Sequence, residues 1–334
     1  MHRLHGRSRY GMPLANRALV RYAAEALVVN GVDEVAVAVS PSTIADVYEM
    51  LGDGSSFGAR FRYLELGGSD TALDTIVAAI DLAGAERPMV IHSGDALVAG
   101  GLHEAIAEFA RTRPDVLMVS ERSHSYPAVA VAGAPGSKPR REGLAGLEHI
   151  SPAAIVSPEA LRELDGFTAE TETLGGTVAS LAEVGLRVTH RTLEGCWCYV
   201  GDCDHLLEAN RMILDEMPHL PFEGDLKGAR IEGRVAIHPS ARLERTTVRG
   251  PAVIGGGVEL VDTFIGPYTS IGPDACLEGA EIDHSIVLAG AAIRHLGHRI
   301  EASIIGAGAV VARDYGMPAA VRLQMGRRSA VRLG

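Results

Sequence analysis

The last third of the chain repeats an aliphatic residue followed by glycine at almost constant spacing. Ile265-Gly266-Pro267, Ile271-Gly272-Pro273 and Leu277 step by six, while Ile254-Gly255-Gly256 and Ile305-Gly306-Ala307 repeat the same start. Ile282, Val287 and Ile293 continue at five- or six-residue steps. A lone Ile-Gly means little, but this many in register read as hexapeptide repeats of a β-helix. Each coil then has three short strands, with the aliphatic residue inward and glycine at the corner. The segment from about residue 228 has room for roughly four to five coils.

Upstream, from about residue 10 to 215, strands alternate with helices. Val35–Val39 is a short β-branched run ending at Ser40-Pro41, and Pro88–His92 and Asp115–Ser120 repeat the theme. Arg17–Asn30 puts Leu19, Ala23, Ala26 and Leu27 on one helical face, with Gly31 as a stop. Alternation of this kind implies an α/β fold with a mostly parallel sheet. Such sheets take ligands outside the carboxyl ends of their strands, where Ser93-Gly94-Asp95 falls. The expected domains are an α/β domain over 1–217, a linker over 218–227 around Pro218-His219-Leu220-Pro221, a β-helix over 228–312 and a tail over 313–334.

Composition narrows the partners. A net charge of −11 argues against nucleic acid, whose phosphates need a basic face. No apolar run reaches the ~20 residues of a membrane span, and the basic start Met1–Arg9 has no apolar core behind it, so a cytoplasmic protein is expected. Cys196, Cys198, Cys203 and Cys276 are too few and too clustered for a secreted disulfide framework. Cys196, Cys198, Cys203 and His205 superficially match zinc spacing, but buried structural thiols are the preferred reading and no metal site is assigned. Lys138 and Lys227 are the only lysines.

The stretch Cys196–Arg211, with Trp197 and the run Leu206-Leu207-Glu208-Ala209-Asn210-Arg211, resembles the late-strand motif of the sugar-1-phosphate nucleotidyltransferases. Pro13-Leu14-Ala15-Asn16-Arg17, His92–Ala96 with Gly100-Gly101-Leu102, Ser137-Lys138-Pro139 and Ser157–Leu161 are similar to further motifs of that family. So are Gly266–Gly272 and Glu281–Leu288 in the tail. The resemblance covers nearly the whole chain and implies a long-form glucose-1-phosphate thymidylyltransferase-like protein. Its fold would be a Rossmann-like nucleotidyltransferase domain followed by a left-handed parallel β-helix. Family members join a sugar phosphate to a nucleotide with Mg²⁺ held by two aspartates.

The residues depart from the family pattern where its chemistry sits. The opening strand and glycine-rich loop have no counterpart, and Arg9 stands where the family has a catalytic lysine. Asp95 matches one Mg²⁺-binding aspartate and Tyr199 replaces the other. Thr173-Leu174-Gly175-Gly176-Thr177 occupies the stretch that carries a sugar-binding glutamate in the family. Two anions meet in nucleotidyl transfer, so cations must be placed in advance, and losing one such group costs on the order of 10²–10³ in rate. Asp95, Tyr199 and His92 are therefore the expected catalytic groups of an altered pocket, and Lys138, Arg9 and Trp197 its substrate contacts. No cofactor is expected, and Mg²⁺ only if the family activity persists.

Three functions fit. The first is a repurposed homologue acting on another small molecule in natural-product or deoxysugar biosynthesis. The second is a non-catalytic scaffold or regulatory subunit of an active paralogue. The third is an active enzyme making dTDP-glucose, whose start lies upstream. A homo-oligomer through the β-helix is expected in each.

Overall fold

The structure is a computed structural model that describes residues 9–67, 72–98, 102–121, 151–164, 174–183, 185–193, 196–198, 203–218 and 226–313. A hairpin opens it: β1 (Pro13–Leu14) pairs antiparallel with β2 (Arg17–Ala18) across Ala15 and Asn16. Both turn residues have positive φ, 45° and 63°, as a two-residue turn of this hand requires. Then come α1 (Leu19–Val28), β3 (Glu34–Val39), α2 (Ile44–Leu51), β4 (Arg60–Glu65), α3 (Ala72–Ala83), β5 (Met89–His92) and β6 (Ala96–Val98). They are followed by α4 (His103–Thr112), β7 (Val116–Glu121), β8 (Ala153–Val156), α5 (Pro158–Glu163), α6 (Leu174–Glu183), β9 (Val188–Leu193), β10 (Cys196–Cys198) and α7 (Cys203–Glu216). The expected helix over Arg17–Asn30 is two residues shorter at each end, because Arg17 and Ala18 belong to the hairpin. Gly31 stops it with φ 86°.

Residues 19–199 form one compact unit. Its main sheet has the order β5-β8-β7-β9. β8 runs against both β5 and β7, while β9 runs parallel to β7, so three of the four strands point one way. β3 and β4 form a separate parallel pair and β6 pairs with β10. The apolar strands dictate this burial: Val116–Val119 and Ala153–Val156 are at most 2% exposed, with α5 and its C-cap supplying Leu161 and Leu164, and α6 supplying Val178 and Leu181, to one core cluster. α5 starts at a Ser157 cap whose Oγ accepts from Ala160 N, with Pro158 in the first turn.

The other unit is the described part of 1–18 and 200–334. From Leu226–Lys227 to Val310–Ala312, sixteen short strands stack in parallel into three sheets of six, five and five strands. The result is a left-handed β-helix of about five turns. Inward residues run Leu243, Val248, Ile254, Leu260, Ile265, Ile271, Leu277 and Ile282, a step pattern of five, six, six that makes these coils 17 residues long; the register then shortens to 16 between Cys276 and Ala292 and lengthens to 18 between Ala292 and Val310. The register agrees: Thr247 pairs with Phe264 and Phe264 with Glu281.

Glycine's part in the coils differs from the sequence expectation. Many corners take positive φ at other residues, among them Asp262, Tyr268, Asp274, His284 and His295. Gly255 and Gly272, the glycines of the Ile-Gly repeat, instead let neighbouring coils approach. On the outside, Glu232–Arg249, Arg242–Glu259 and Arg245–Asp262 bridge successive coils one period apart. Solvent screens these surface pairs, so the aliphatic stack holds the coil together.

The hairpin and α7 are bound to this β-helix by two asparagines. Asn210, fully buried, accepts from Ala15 N (2.9 Å) and Ser270 Oγ (2.7 Å) and donates from Nδ2 to Tyr268 O (3.2 Å). Asn16 Nδ2 donates to Ile271 O at 2.7 Å. Arg211, next to Asn210, is held by Glu208 and Asp215, and the guanidinium keeps the Glu208 carboxyl below its ordinary range.

Candidate functional site

The retained sequence motif lies at the carboxyl end of β5. His92 closes that strand, paired with Ala153, and Ser93 N donates to Pro152 O. Gly94, at φ 79°, turns the chain so that its N–H donates to His92 Nδ1 at 3.0 Å. Asp95 then leads into β6, and all three β6 residues are buried. Across from β6 runs β10, with Cys196 opposite Val98, Trp197 opposite Leu97 and Cys198 opposite Ala96. The turn that carries Asp95 is thereby fixed beside the strand whose next residue in sequence is Tyr199.

His92 is electrically defined by its surroundings. Its Nδ1 accepts a hydrogen bond, so the proton of the neutral ring sits on Nε2. Nε2 is buried and has no hydrogen-bond partner among the described residues. Burial pushes the ring pKa down to about 4 from its ordinary 6.5. At pH 7 the ring is neutral, a hydrogen-bond donor that orients a partner rather than a source of protons. The unfolded chain takes up a proton near pH 6.5 that the folded ring refuses until about pH 4. Stability is therefore full above pH 6.5 and falls as the pH drops through that window, by no more than about 3 kcal/mol. Replacing His92 with glutamine should flatten the dependence of unfolding free energy on pH between 4 and 6.5, which urea titrations at several pH values would read.

The remaining site residues divide. His92, Asp95 and the Trp197 backbone come together on the β5–β6–β10 arrangement. Arg9 opens a short 3-10 helix over Arg9–Gly11 in the other unit. Tyr199 and Lys138 lie outside the described residues. The stretch aligned with the family's sugar-binding glutamate enters α6, where Leu174, Gly175, Gly176, Thr177 and Val178 are all buried. Cys203, expected as a buried thiol, is instead exposed at the first position of α7. Among the described residues no three His, Cys, Asp or Glu side chains gather as a metal site. Among the described residues of the β5–β6 turn, Asp95 supplies the one carboxylate.

Sequence comparison places these features. Two proteins named glucose-1-phosphate thymidylyltransferase, from Streptomyces griseus and Streptomyces antibioticus, are each 28% identical to the chain, over 98% of it and 94% of their own lengths. The low-salt glycan biosynthesis nucleotidyltransferase Agl11 of Haloferax volcanii is 27% identical over 96% of the chain and 93% of its own. The chain is a homologue of the glucose-1-phosphate thymidylyltransferases. No protein-family model matches it. A solved Bacillus anthracis structure, provisionally given the same enzyme name, aligns with 61% of the chain and 85% of its own at 14% identity and a TM-score of 0.49. Among the described residues of this homologue, no helix is long and apolar enough to cross a membrane.

Sequence reasoning did not single out Asn16 and Asn210. Both stand in motifs that were recognised, yet Asn16's partner lies 255 residues away in the β-helix and Asn210's partners lie 58, 60 and 195 residues away, a pairing that no local pattern signals.

Proposed function

We propose that this homologue binds a small molecule at the carboxyl end of β5 and does not transfer a nucleotide to it. The observation that carries this reading is the β6–β10 register. It sets the Asp95 turn next to the strand that continues into Tyr199, at the position where the family resemblance calls for a second carboxylate. One carboxylate beside a neutral His92 is a poor Mg²⁺ holder, and two anions cannot be drawn together without such charge. The same turn suits an uncharged or singly charged ligand: His92 Nε2–H donates, Asp95 accepts, and Lys138 and Trp197 are proposed as further contacts. Tyr199 would supply a hydroxyl in place of a metal ligand. The substrate would be an intermediate of natural-product or deoxysugar chemistry, and the assembly a homo-oligomer through the β-helix.

The test is pyrophosphate release by the purified protein with Mg²⁺, dTTP and glucose 1-phosphate, beside Tyr199→Asp. The wild type is expected to release pyrophosphate at least ~10²-fold more slowly than an active enzyme. A thermal-shift screen of sugar phosphates and nucleotide sugars should then find a ligand that binds equally well with Mg²⁺ chelated. Turnover at ordinary enzyme rates would restore the thymidylyltransferase activity named for the relatives and sink this proposal. A second reading is a non-catalytic subunit of an active paralogue, favoured by the β3 and β5 edges that have no strand partner among the described residues. It predicts co-purification with that paralogue and no ligand of its own.

A further inference from the structure

The three sheets of the β-helix differ on their outer sides. The sheet that contains Thr269–Ile271 is occupied by α7 through the bond between Ser270 and Asn210, and Ser270 is fully buried. The sheet built from Arg230–Glu232, Thr247–Arg249, Phe264–Ile265, Glu281–Asp283 and Ile300–Glu301 is open. Its isoleucines and Val248 face the core, and Arg230, Arg249, Glu281 and Arg299 on the outside are between 49% and 76% exposed.

Charge on this open face is arranged about its middle strand. The first coil presents Arg230 and Glu232, paired at 2.6 Å, and the fifth presents Arg299 and Glu301, so each of these coils is neutral. The second coil presents Arg249 beside the uncharged Thr247, a charge of +1, and the fourth presents the carboxylates of Glu281 and Asp283, a charge of −2. Between them stands Phe264, half-buried, with the guanidinium carbons of Arg249 and Arg299 at 5.9 and 5.4 Å from its ring centre. Gly266 beside it carries no side chain. An outward phenyl ring flanked by arginines has the composition of an interface centre, where aromatic residues and arginine are enriched.

We infer that this face is a two-fold interface with a second copy of the chain, the two β-helices antiparallel and the Phe264 rings meeting at the axis. A two-fold contact is self-complementary, so the second coil of one copy lies on the fourth coil of the other. Arg249 then faces the partner's Asp283, and symmetry makes the contact twice. A parallel pairing would set −2 against −2 at the fourth coil, which like-charge repulsion disfavours. The remaining sheet is a poorer match, because its middle strand Cys276–Glu278 would set Glu278 against its own copy. Five three-residue strands about 4.8 Å apart make a patch smaller than the ~800 Å² per partner of a standard interface, so the dimer is weak and salt-sensitive. The inference rests on the proposed assembly through the β-helix and narrows it to one face; it is independent of the reading of Asp95 and Tyr199.

Sedimentation velocity of the full chain tests it. The wild type should show a reversible monomer–dimer equilibrium whose Kd rises about tenfold or more between about 50 and about 500 mM salt. Phe264→Ala should weaken the dimer by about tenfold or more. Arg249→Glu should abolish it, since −1 would then meet −2, and Glu281→Arg should weaken it; both side chains are more than half exposed, 55% and 59%, so the fold tolerates the change. Mixing these two variants should restore association, because the intact Arg249 of one meets the intact acidic coil of the other. Arg242→Ala, on the neighbouring sheet and 81% exposed, should change nothing. Should Phe264→Ala fail to fold, the charge variants and their mixture decide the matter. A wild type that stays monomeric at every soluble concentration would overturn this inference and the β-helix assembly together. Association that survives Arg249→Glu would overturn this face and leave the assembly standing, since a parallel pairing or another sheet would then be responsible. So would a dimer that salt strengthens, or one that Arg242→Ala weakens as much as Phe264→Ala does.

Discussion

Replacing Asn210 with leucine is expected to cost about 4 kcal/mol, because it strips partners from two buried groups and a hydroxyl at once. Ala15 N–H loses its acceptor, Tyr268 C=O loses its donor and Ser270 Oγ loses an acceptor, in a site closed to water. Leucine is close in size, so the loss reports on polar satisfaction more than on a cavity. Urea unfolding should show a lower midpoint with an unchanged slope. A cost under about 1 kcal/mol would mean that water or a shifted backbone replaces the amide. Adding Ser270→Ala to the leucine variant should restore part of the loss, since the stranded hydroxyl is removed.

Gly272→Ala should destabilise the β-helix by about 3 kcal/mol, at the upper end of ordinary overpacking. A Cβ there would sit 2.8 Å from Ala289 N, 2.9 Å from Leu288 C and 2.9 Å from Val287 O. All three are backbone atoms of the next coil, and Gly272 N itself donates to Val287 O at 2.7 Å, so no rotamer change relieves the contact. Only wider coil spacing would, at the expense of the hydrogen bonds that define it. Thermal unfolding should fall by about 6–12 °C for a unit of this size. Gly308→Ala is the control. That glycine has φ 65° with open space around it, so only backbone strain of up to about 1 kcal/mol is added. Equal effects at both positions would show that conformation, and not coil contact, is what glycine supplies at Gly272.

The β-helix was legible because its signal is one-dimensional: each coil contacts the next, so spacing along the chain is spacing in space. The reading had five- as well as six-residue steps, but not how they combine, since coils of 17, 16 and 18 residues follow one another. The strands Glu34–Val39, Met89–His92 and Val116–Glu121 followed from their apolar runs. Their order did not, since periodicity carries no information on which strand lies beside which. At the site, the turn after His92 and its place at a strand end were predicted from the motif. The neutral state of His92 was not, because its pKa is set by burial, and burial depends on neighbours distant in sequence.

The hairpin's bond from Asn16 to Ile271 spans 255 residues and so sets a timetable for synthesis. At about 5–20 residues per second, the ribosome needs roughly 13–50 s to deliver the carbonyl that Asn16 waits for. The α/β unit, complete by residue 199, has time to fold in that interval. The hairpin's Asn16 cannot meet its acceptor before that carbonyl is made, so this contact closes only after the β-helix has been synthesised.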